Sequence, residues 1–152
     1  MNLTFSDFLK QQKGDATTIQ EAAILYVGEL TDDLPPEKMK TEVVSAAGDL
    51  KAVEAALDEL RQDSKVAEKI LVTMFTNKWE EPAERERIKR AFEAAGQRLP
   101  VIETIVIGSI ALYAMYLTAH FMHMAVTGKD IPPPAPPSTA VGALWSLIKG
   151  AD

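Results

Sequence analysis

The sequence predicts an all-α protein: a small helical bundle or hairpin, then a single transmembrane helix, then a short proline-led C-terminal tail. Three observations lead to this prediction. Charge is segregated, since 33 of the 38 Lys, Arg, Asp and Glu residues precede Leu99. The run from Thr104 through Gly128 contains none of these residues. The part before this run repeats apolar residues at steps of three and four, which is the spacing of a helix face.

The composition excludes several classes of function. The chain has no cysteine, which excludes disulfides, thiolate metal sites and a cysteine nucleophile. Its net charge of −6 argues against nucleic acid as a partner. The start "MNLTFSDFLK" has no basic segment, so no secretory signal is predicted. We expect no enzyme, because the sequence has no nucleotide fingerprint, phosphate-binding loop, nucleophile elbow or metalloenzyme His/Glu spacing.

Residues 1–99 predict a cytoplasmic helical domain. Thr17 and Gln20 have capping-box spacing, and the prolines of "DDLPPEKMK" suit the first turn of a helix. A regular apolar seam follows, interrupted at Ser64, so that one long helix and two antiparallel helices both fit. We interpret the seam as the inside of a bundle, because a self-associating coiled coil sustains clean heptads for longer. The seam consists of Val43, Ala46, Leu50, Val53, Leu57, Leu60, Ala67, Leu71 and Met74.

The segment "EPAERERIKRAFEAAG" predicts the last helix of this domain. Its apolar face is thin, and its acidic residues dilute its basic ones. We therefore interpret it as a solvated connector rather than as a basic helix on anionic lipid headgroups.

Residues 100–127 predict the transmembrane helix, with Pro100 in its first turn. About 20 uncharged residues suffice to cross the hydrocarbon core, and this run exceeds that length. The alternative is a central helix wrapped by the other helices of a bundle. A helix that is apolar on every side needs cover on every side. The preceding helices have narrow, alanine-rich faces, so the sequence favours the span.

Basic residues near the span predict its orientation. Five of them lie on the N-terminal side, and only Lys129 lies within a similar distance on the other side. The positive-inside bias therefore places the N-terminus in the cytoplasm and the C-terminus outside a bacterial inner membrane or an equivalent membrane. The five residues are Arg85, Arg87, Lys89, Arg90 and Arg98.

Small and adaptable residues form one stripe along the span. Transmembrane helices associate through such stripes, because lipid supplies no hydrophobic drive for association. The spacing predicts a packing seam against another transmembrane helix, either from a partner or from a second copy. The stripe consists of Thr104, Gly108, Ala111, Met115, Thr118, Met122 and Ala125.

Three polar residues of the span are candidate ligands or functional groups. His120 and His123 share one helix face, which fits an interface role or, less well, ligation of a haem or chlorophyll-type pigment. No acidic or cysteine ligand is near them in the sequence, so no metal site is predicted. Glu103 lies one turn inside the cytoplasmic boundary, where its carboxylate can reach headgroup water.

Residues 128–152 predict a tail outside the membrane. The run "PPPAPP" should be extended and stiff. It leads into "STAVGALWSLIKGAD", which predicts a short amphipathic helix lying on the outer surface or docked on a partner complex.

Together these features predict a non-enzymatic single-pass membrane protein. We expect an accessory or assembly subunit that packs through its span against other transmembrane helices of a larger complex. The alternative is a self-assembling membrane effector, holin-like or a defence pore, with a cytoplasmic helical signal domain. In that case copies of the span would form a homo-oligomer within the lipid bilayer. The third hypothesis, a pigment- or haem-binding element, rests on the two histidines alone.

Overall fold

A computed structural model describes residues 3–12, 15–95, 104–125, 135–136 and 138–149. It describes residues 104–106, 120–125 and 149 as helix without their side chains. Within these ranges the chain forms eight helices and no strand, which confirms the all-α prediction. The helices are α1 (Phe5–Gln11), α2 (Ala16–Thr31), α3 (Pro36–Ala47), α4 (Leu50–Gln62), α5 (Ser64–Lys78), α6 (Pro82–Ala95), α7 (Thr104–Ala125) and α8 (Ala140–Lys149).

Side-chain caps set where several helices begin. The Asp15 carboxylate accepts a hydrogen bond from the Thr18 amide at 2.8 Å, so Asp15 caps α2 rather than the predicted Thr17. The Asp63 carboxylate accepts from the Lys65 amide at 3.1 Å and ends the apolar seam at the break between α4 and α5. The seam is divided among three helices, α3, α4 and α5, which is neither of the two arrangements predicted from the sequence. Most of its residues are buried, but Leu50 at the start of α4 is exposed.

The core has two parts that share α5. The first, which we call the aromatic core, joins α1, α2, α5 and α6 through rings whose centroids lie 4.9–6.3 Å apart. The second, the aliphatic core, surrounds α7 with α3, α4, α5 and α8. The aromatic core consists of Phe5, Phe8, Tyr26, Phe75, Trp79 and Phe92.

The helix α6 packs against α2 instead of acting as a solvated connector. Ile88 and Phe92 are buried on its thin apolar face. Its basic side chains pair within the chain: Arg87 and Arg90 approach the Glu29 carboxylate of α2 at 3.7 and 3.2 Å. The connector prediction is wrong. Two large apolar side chains are enough to pack α6 onto the bundle, because α2 provides the surface that they contact.

The predicted transmembrane helix corresponds to α7, which lies inside the bundle. No helix in the described part of the chain combines the length and the hydropathy that a membrane crossing needs. The single-span prediction is therefore unsupported. The segments predicted as separate regions, 1–99, 100–127 and 128–152, contribute residues to one buried cluster.

Candidate functional site: the enclosed helix

The described side chains of α7 are enclosed on all sides. Residues 107–119 are buried, apart from Tyr116, which is partly exposed. The helices α3, α4, α5 and α8 contact α7 along its length, and α2 adds a smaller contact. This is the arrangement that the sequence offered as its alternative to a span. Five helices together bury the apolar surface of α7, so no single helix needs a broad apolar face.

The predicted small-residue stripe faces helices of its own chain wherever its side chains are described. A Cβ atom at Gly108 would lie 3.2 Å from Cγ of Arg61 and 3.3 Å from Cδ1 of Leu57. Gly108 therefore lets α4 approach α7 closely. Ala111 is fully buried. The Thr118 hydroxyl donates to a carbonyl one turn earlier in α7, at 2.8 Å, so it needs no partner from another helix.

The C-terminal end of the described stripe lies beneath α8. Met115 and Thr118 line a small, partly open pocket of about 10 Å³ together with Ile70 and Thr73 of α5 and Trp145 of α8. Trp145 thus lies over the stripe where α5, α7 and α8 meet.

The helix α8 docks through one apolar face. Val141, Leu144, Trp145 and Ile148 are buried, at positions i, i+3, i+4 and i+7, while Leu147 is exposed. This is the register by which an amphipathic helix occupies a groove. The groove is formed mainly by α4 and α7, with a contribution from α3.

A carboxylate of α4 holds the N-terminus of α8. Glu59 Oε2 accepts a hydrogen bond from the Ala140 amide at 3.0 Å. The Thr139 hydroxyl accepts from the Gly142 amide at 3.1 Å in the same turn. An acidic group at this end of a helix interacts favourably with the helix dipole. Glu59 therefore gives α8 a directional contact with α4.

Gly142 is required by the chain that precedes α8. A Cβ atom at this position would overlap the carbonyl of Pro136. The backbone turns directly against the first turn of α8, and only glycine leaves room for it.

A tyrosine supplies the polar contact on the opposite side of α7. The Tyr113 hydroxyl donates to the Glu42 carboxylate of α3, at 3.3 and 3.4 Å from its two oxygens. These distances are long for an O–H donor, so the bond is weak. It satisfies a hydroxyl that the enclosure of α7 would otherwise bury without a partner.

Several predicted site residues lie outside the description. Glu103 belongs to the undescribed residues. His120 and His123 lie in the last turns of α7, but their side chains are not described, and the same holds for the stripe members Thr104, Met122 and Ala125. No group of three or more His, Cys, Asp or Glu residues that could hold a metal ion occurs among the residues the structure describes.

Sequence reasoning missed the groups that position α7 and α8. Glu42 and Glu59 read as solvated carboxylates of amphipathic helices, yet they bond to residues 71 and 81 positions later. One signal was available, since a tyrosine hydroxyl within an uncharged helix needs a partner wherever the helix is buried in protein. Nothing in the sequence indicates which carboxylate supplies it.

Comparison of the chain with protein-family models, curated protein sequences and solved structures finds no match. The function is therefore argued from the geometry of the enclosed helix.

Proposed function

We propose that this protein is a non-enzymatic membrane effector that stores an insertable helix inside a helical bundle. When the bundle opens, α7 enters a lipid bilayer and copies associate through the stripe that contains Gly108, Met115 and Thr118. The observation that carries the proposal is the enclosure of an uncharged helix by its own chain. This is the alternative function predicted from the sequence, now preferred over the accessory subunit.

The proposal is supported by the apolar character that α7 has on every side. A helix that is apolar on every side is stable in a protein core and in hydrocarbon. The uncharged run continues from Thr104 through Gly128, beyond the described side chains of α7. A helix of about 20 residues spans the core of a bilayer. Transfer of the whole run from bundle to bilayer would therefore preserve most of its apolar burial.

The helices that enclose α7 are amphipathic and could follow it to a membrane surface. In α4, Val53, Leu57 and Leu60 are buried on one face, while the opposite face is exposed. Such helices can lie in the interface with their apolar faces in the acyl region. The net charge of −6 opposes this on an anionic surface. We therefore expect insertion to be faster with zwitterionic lipid, or near the isoelectric point of about 5.0.

The accessory-subunit proposal uses the same helix differently. It requires α7 to leave the bundle only in the presence of partner helices, because its described stripe already packs against α4, α5 and α8. The effector proposal requires no partner. The two are therefore distinguished by purified protein and lipid alone.

The decisive experiment locks α7 to α4 with a disulfide. Because the chain has no cysteine, the double variant Arg61→Cys/Gly108→Cys contains only the designed pair. The Cγ position of residue 61 lies 3.2 Å from a Cβ at residue 108, close to the separation that a sulfur and the opposite Cβ adopt in a disulfide. The same purified protein, oxidised or reduced, is then added to dye-filled vesicles of phosphatidylcholine with and without phosphatidylglycerol.

We expect the reduced protein to release the dye and the oxidised protein to release none. Each single-cysteine variant serves as a control and should behave like the reduced form. Equal leakage from oxidised and reduced protein would overturn the proposal. In the oxidised protein the disulfide holds α7 on α4, so leakage from it could not depend on release of α7. No leakage from any form, at neutral pH or near pH 5, would also overturn it and would favour the accessory subunit.

A further inference from the structure

We propose that Arg85 and Lys89 of α6 form, at the ring of Trp79, a binding site for a phosphate group. The helix α6 contacts α2 and α5 and is not one of the helices that enclose α7. The site is argued from its own geometry, and only its assignment to the phosphate of a lipid headgroup rests on the proposed function. The inference therefore concerns how the bundle meets a membrane rather than how α7 leaves the bundle.

The four basic residues of α6 fall into two pairs with different partners. Arg87 and Arg90 approach a carboxylate of α2 at 3.7 and 3.2 Å. Arg85 and Lys89 lie one turn apart and approach the Trp79 ring instead, with their charged groups 5.5 and 5.8 Å from its centroid. Two positive charges are thus held at one aromatic ring.

The guanidinium of Arg85 is fixed at one edge and has donors to offer at the other. Its Nε atom donates a hydrogen bond to the Trp79 carbonyl at 2.9 Å. Its two terminal nitrogens carry four further N–H donors in a rigid fork. Within the described ranges, no carboxylate lies at ion-pairing distance from this side chain. An anion that binds Arg85 therefore meets a group that is already ordered and has no counter-charge to displace.

Lys89 supplies the second positive charge. Its ammonium lies 3.6 Å from the carboxylate of Glu86, which is 64% exposed. An exposed ion pair of this kind contributes little to stability, so a bound anion can replace the carboxylate at small cost.

The two cations fit a phosphate better than a carboxylate. An arginine fork binds two oxygens of either group in a bidentate contact. A carboxylate then has no oxygen left, whereas a phosphate has a further oxygen that can reach Lys89, a flexible point charge one turn away. The ligand chemistry is therefore a phosphate, carried by a phospholipid headgroup or by a small soluble molecule. The proposed function favours the lipid, because basic side chains near a bilayer attract anionic headgroups.

The first test follows the site by NMR while inorganic phosphate is added to the natural chain. The Nε–H of Arg85 and the indole N–H of Trp79 should shift in a saturable way, and the indole N–H of Trp145 should not. Chloride at equal ionic strength is the control for screening. Arg85→Lys keeps the charge but loses the fork, so we expect its affinity for phosphate to fall by about tenfold.

The second test compares two double variants of equal net charge on vesicles of phosphatidylcholine with phosphatidylglycerol. Arg85→Gln/Lys89→Gln removes the site, whereas Lys65→Gln/Lys69→Gln removes two exposed cations near the other end of α5. Both variants carry the same net negative charge, so their difference reports the site alone. Each cation near the surface contributes about fivefold to binding, so we expect the site variant to partition about 25-fold more weakly than its control.

Sedimentation of the vesicles at low ionic strength measures this partition without any need for leakage. Lys89→Gln alone leaves the bond from Arg85 to the Trp79 carbonyl in place and should bind about fivefold more weakly than the natural chain. It keeps the test valid if urea unfolding shows that the double variant is unstable.

The outcomes separate the site from the effector. No shift of Arg85 with phosphate, or an equal shift with chloride, overturns the site even if the natural chain releases vesicle dye. A specific shift with equal partition of the two double variants supports the site for a soluble phosphate and overturns the lipid assignment. Weaker partition of Arg85→Gln/Lys89→Gln, with no dye release from any form, supports the lipid site and overturns the proposed function.

Discussion

The aromatic and aliphatic cores meet at α5 but are held together in different ways. In the aromatic core, polar groups fix the geometry: the Tyr26 hydroxyl donates to Glu84 at 2.6 Å, and Nε1 of Trp79 donates to the Leu3 carbonyl at 2.6 Å. In the aliphatic core, the corresponding bond from Tyr113 to Glu42 is 3.3 Å or longer. The tyrosine bond of the aromatic core is therefore the shorter and stronger of the two, although the aliphatic core also has the 3.0 Å bond from the Ala140 amide to Glu59.

This difference shows which part of the fold can be rearranged. Short hydrogen bonds to buried groups must be broken before the aromatic core opens, and each leaves an unsatisfied polar atom. The helix α7 is surrounded mainly by aliphatic, alanine and methionine side chains, which adapt to new neighbours. The aromatic core is therefore expected to remain folded when α7 or α8 moves.

The largest expected effect comes from breaking the aromatic core at Phe75. This ring contacts Phe5, Tyr26 and Phe92 with centroids 5.2–5.5 Å apart. Phe75→Ala should lower the free energy of unfolding by about 3–5 kcal/mol, because it leaves a cavity among rings that cannot collapse. Urea unfolding followed by circular dichroism measures it. Thr76→Ala, at the exposed neighbour, is the control, and a loss below about 1 kcal/mol for Phe75→Ala would contradict the rigid-core interpretation.

The next effect should be confined to the aliphatic core. Gly142→Ala forces a Cβ atom into the Pro136 carbonyl and should cost about 1–3 kcal/mol, which α8 can relieve by leaving its groove. Hydrogen exchange should show lost protection in α8 and unchanged protection in α2 and α6. The matched substitution Ala143→Gly weakens the same helix by about 1 kcal/mol without the overlap. Equal loss of protection in α2 would show that the two cores do not open separately.

A smaller effect is expected from removing the buried hydroxyl that fixes the aromatic core. Tyr26→Phe removes the 2.6 Å hydrogen bond to the Glu84 carboxylate, which is only 14% exposed and keeps Arg87 at 3.4 Å, and should cost about 1–2 kcal/mol. Tyr113→Phe, which removes the longer and weaker bond of the aliphatic core, should cost about 0.5 kcal/mol. Urea midpoints of the two variants compare the cores directly. A larger loss for Tyr113→Phe would reverse the comparison.

The last effect is confined to alkaline pH. Burial, and then the hydrogen bond to Glu84, raise the pKa of Tyr26 above its ordinary value of 10.0. Above pH 10 the unfolded chain loses this proton while the folded chain keeps it, so the stability contributed by Tyr26 is present below pH 10 and declines as the pH rises. The stability difference between the natural chain and Tyr26→Phe should therefore shrink, by up to about 1.4 kcal/mol per pH unit.

Urea midpoints of both proteins at pH 9 and pH 11 measure that change. Since the two proteins share every other titrating group, the difference isolates Tyr26. A difference that stays constant or grows would show that the hydroxyl is not held protonated by burial.

Local structure was predictable from the sequence where it depends on spacing and capping. The buried seam residues Val53, Leu57 and Leu60 follow from periodicity, and the break at Asp63 follows from its capping chemistry. These features depend on neighbours within a turn or two of helix. They are therefore independent of the tertiary contacts made by distant parts of the chain.

The environment of α7 was not predictable, because an uncharged run of this length predicts a span as readily as it predicts a helix inside a bundle. The deciding contacts come from residues far away in the chain, such as Glu42 for Tyr113 and Leu57 for Gly108. The face of α6 was misinterpreted for a related reason: its ion pairs with Glu29 join residues about 60 positions apart. A single sequence shows that such groups exist but not which ones meet.

The order of the helices along the chain has a consequence for biosynthesis. The helix α7 is made before α8, and about two dozen residues separate Ala125 from Lys149. At typical translation rates of about 5–20 residues per second, α7 waits about one to five seconds for its last cover. During this interval Met115 and Thr118 lack the neighbour that Trp145 supplies in the folded bundle, although α4 is already available beside Gly108. Among the described helices, α8 is therefore the last to join the aliphatic core.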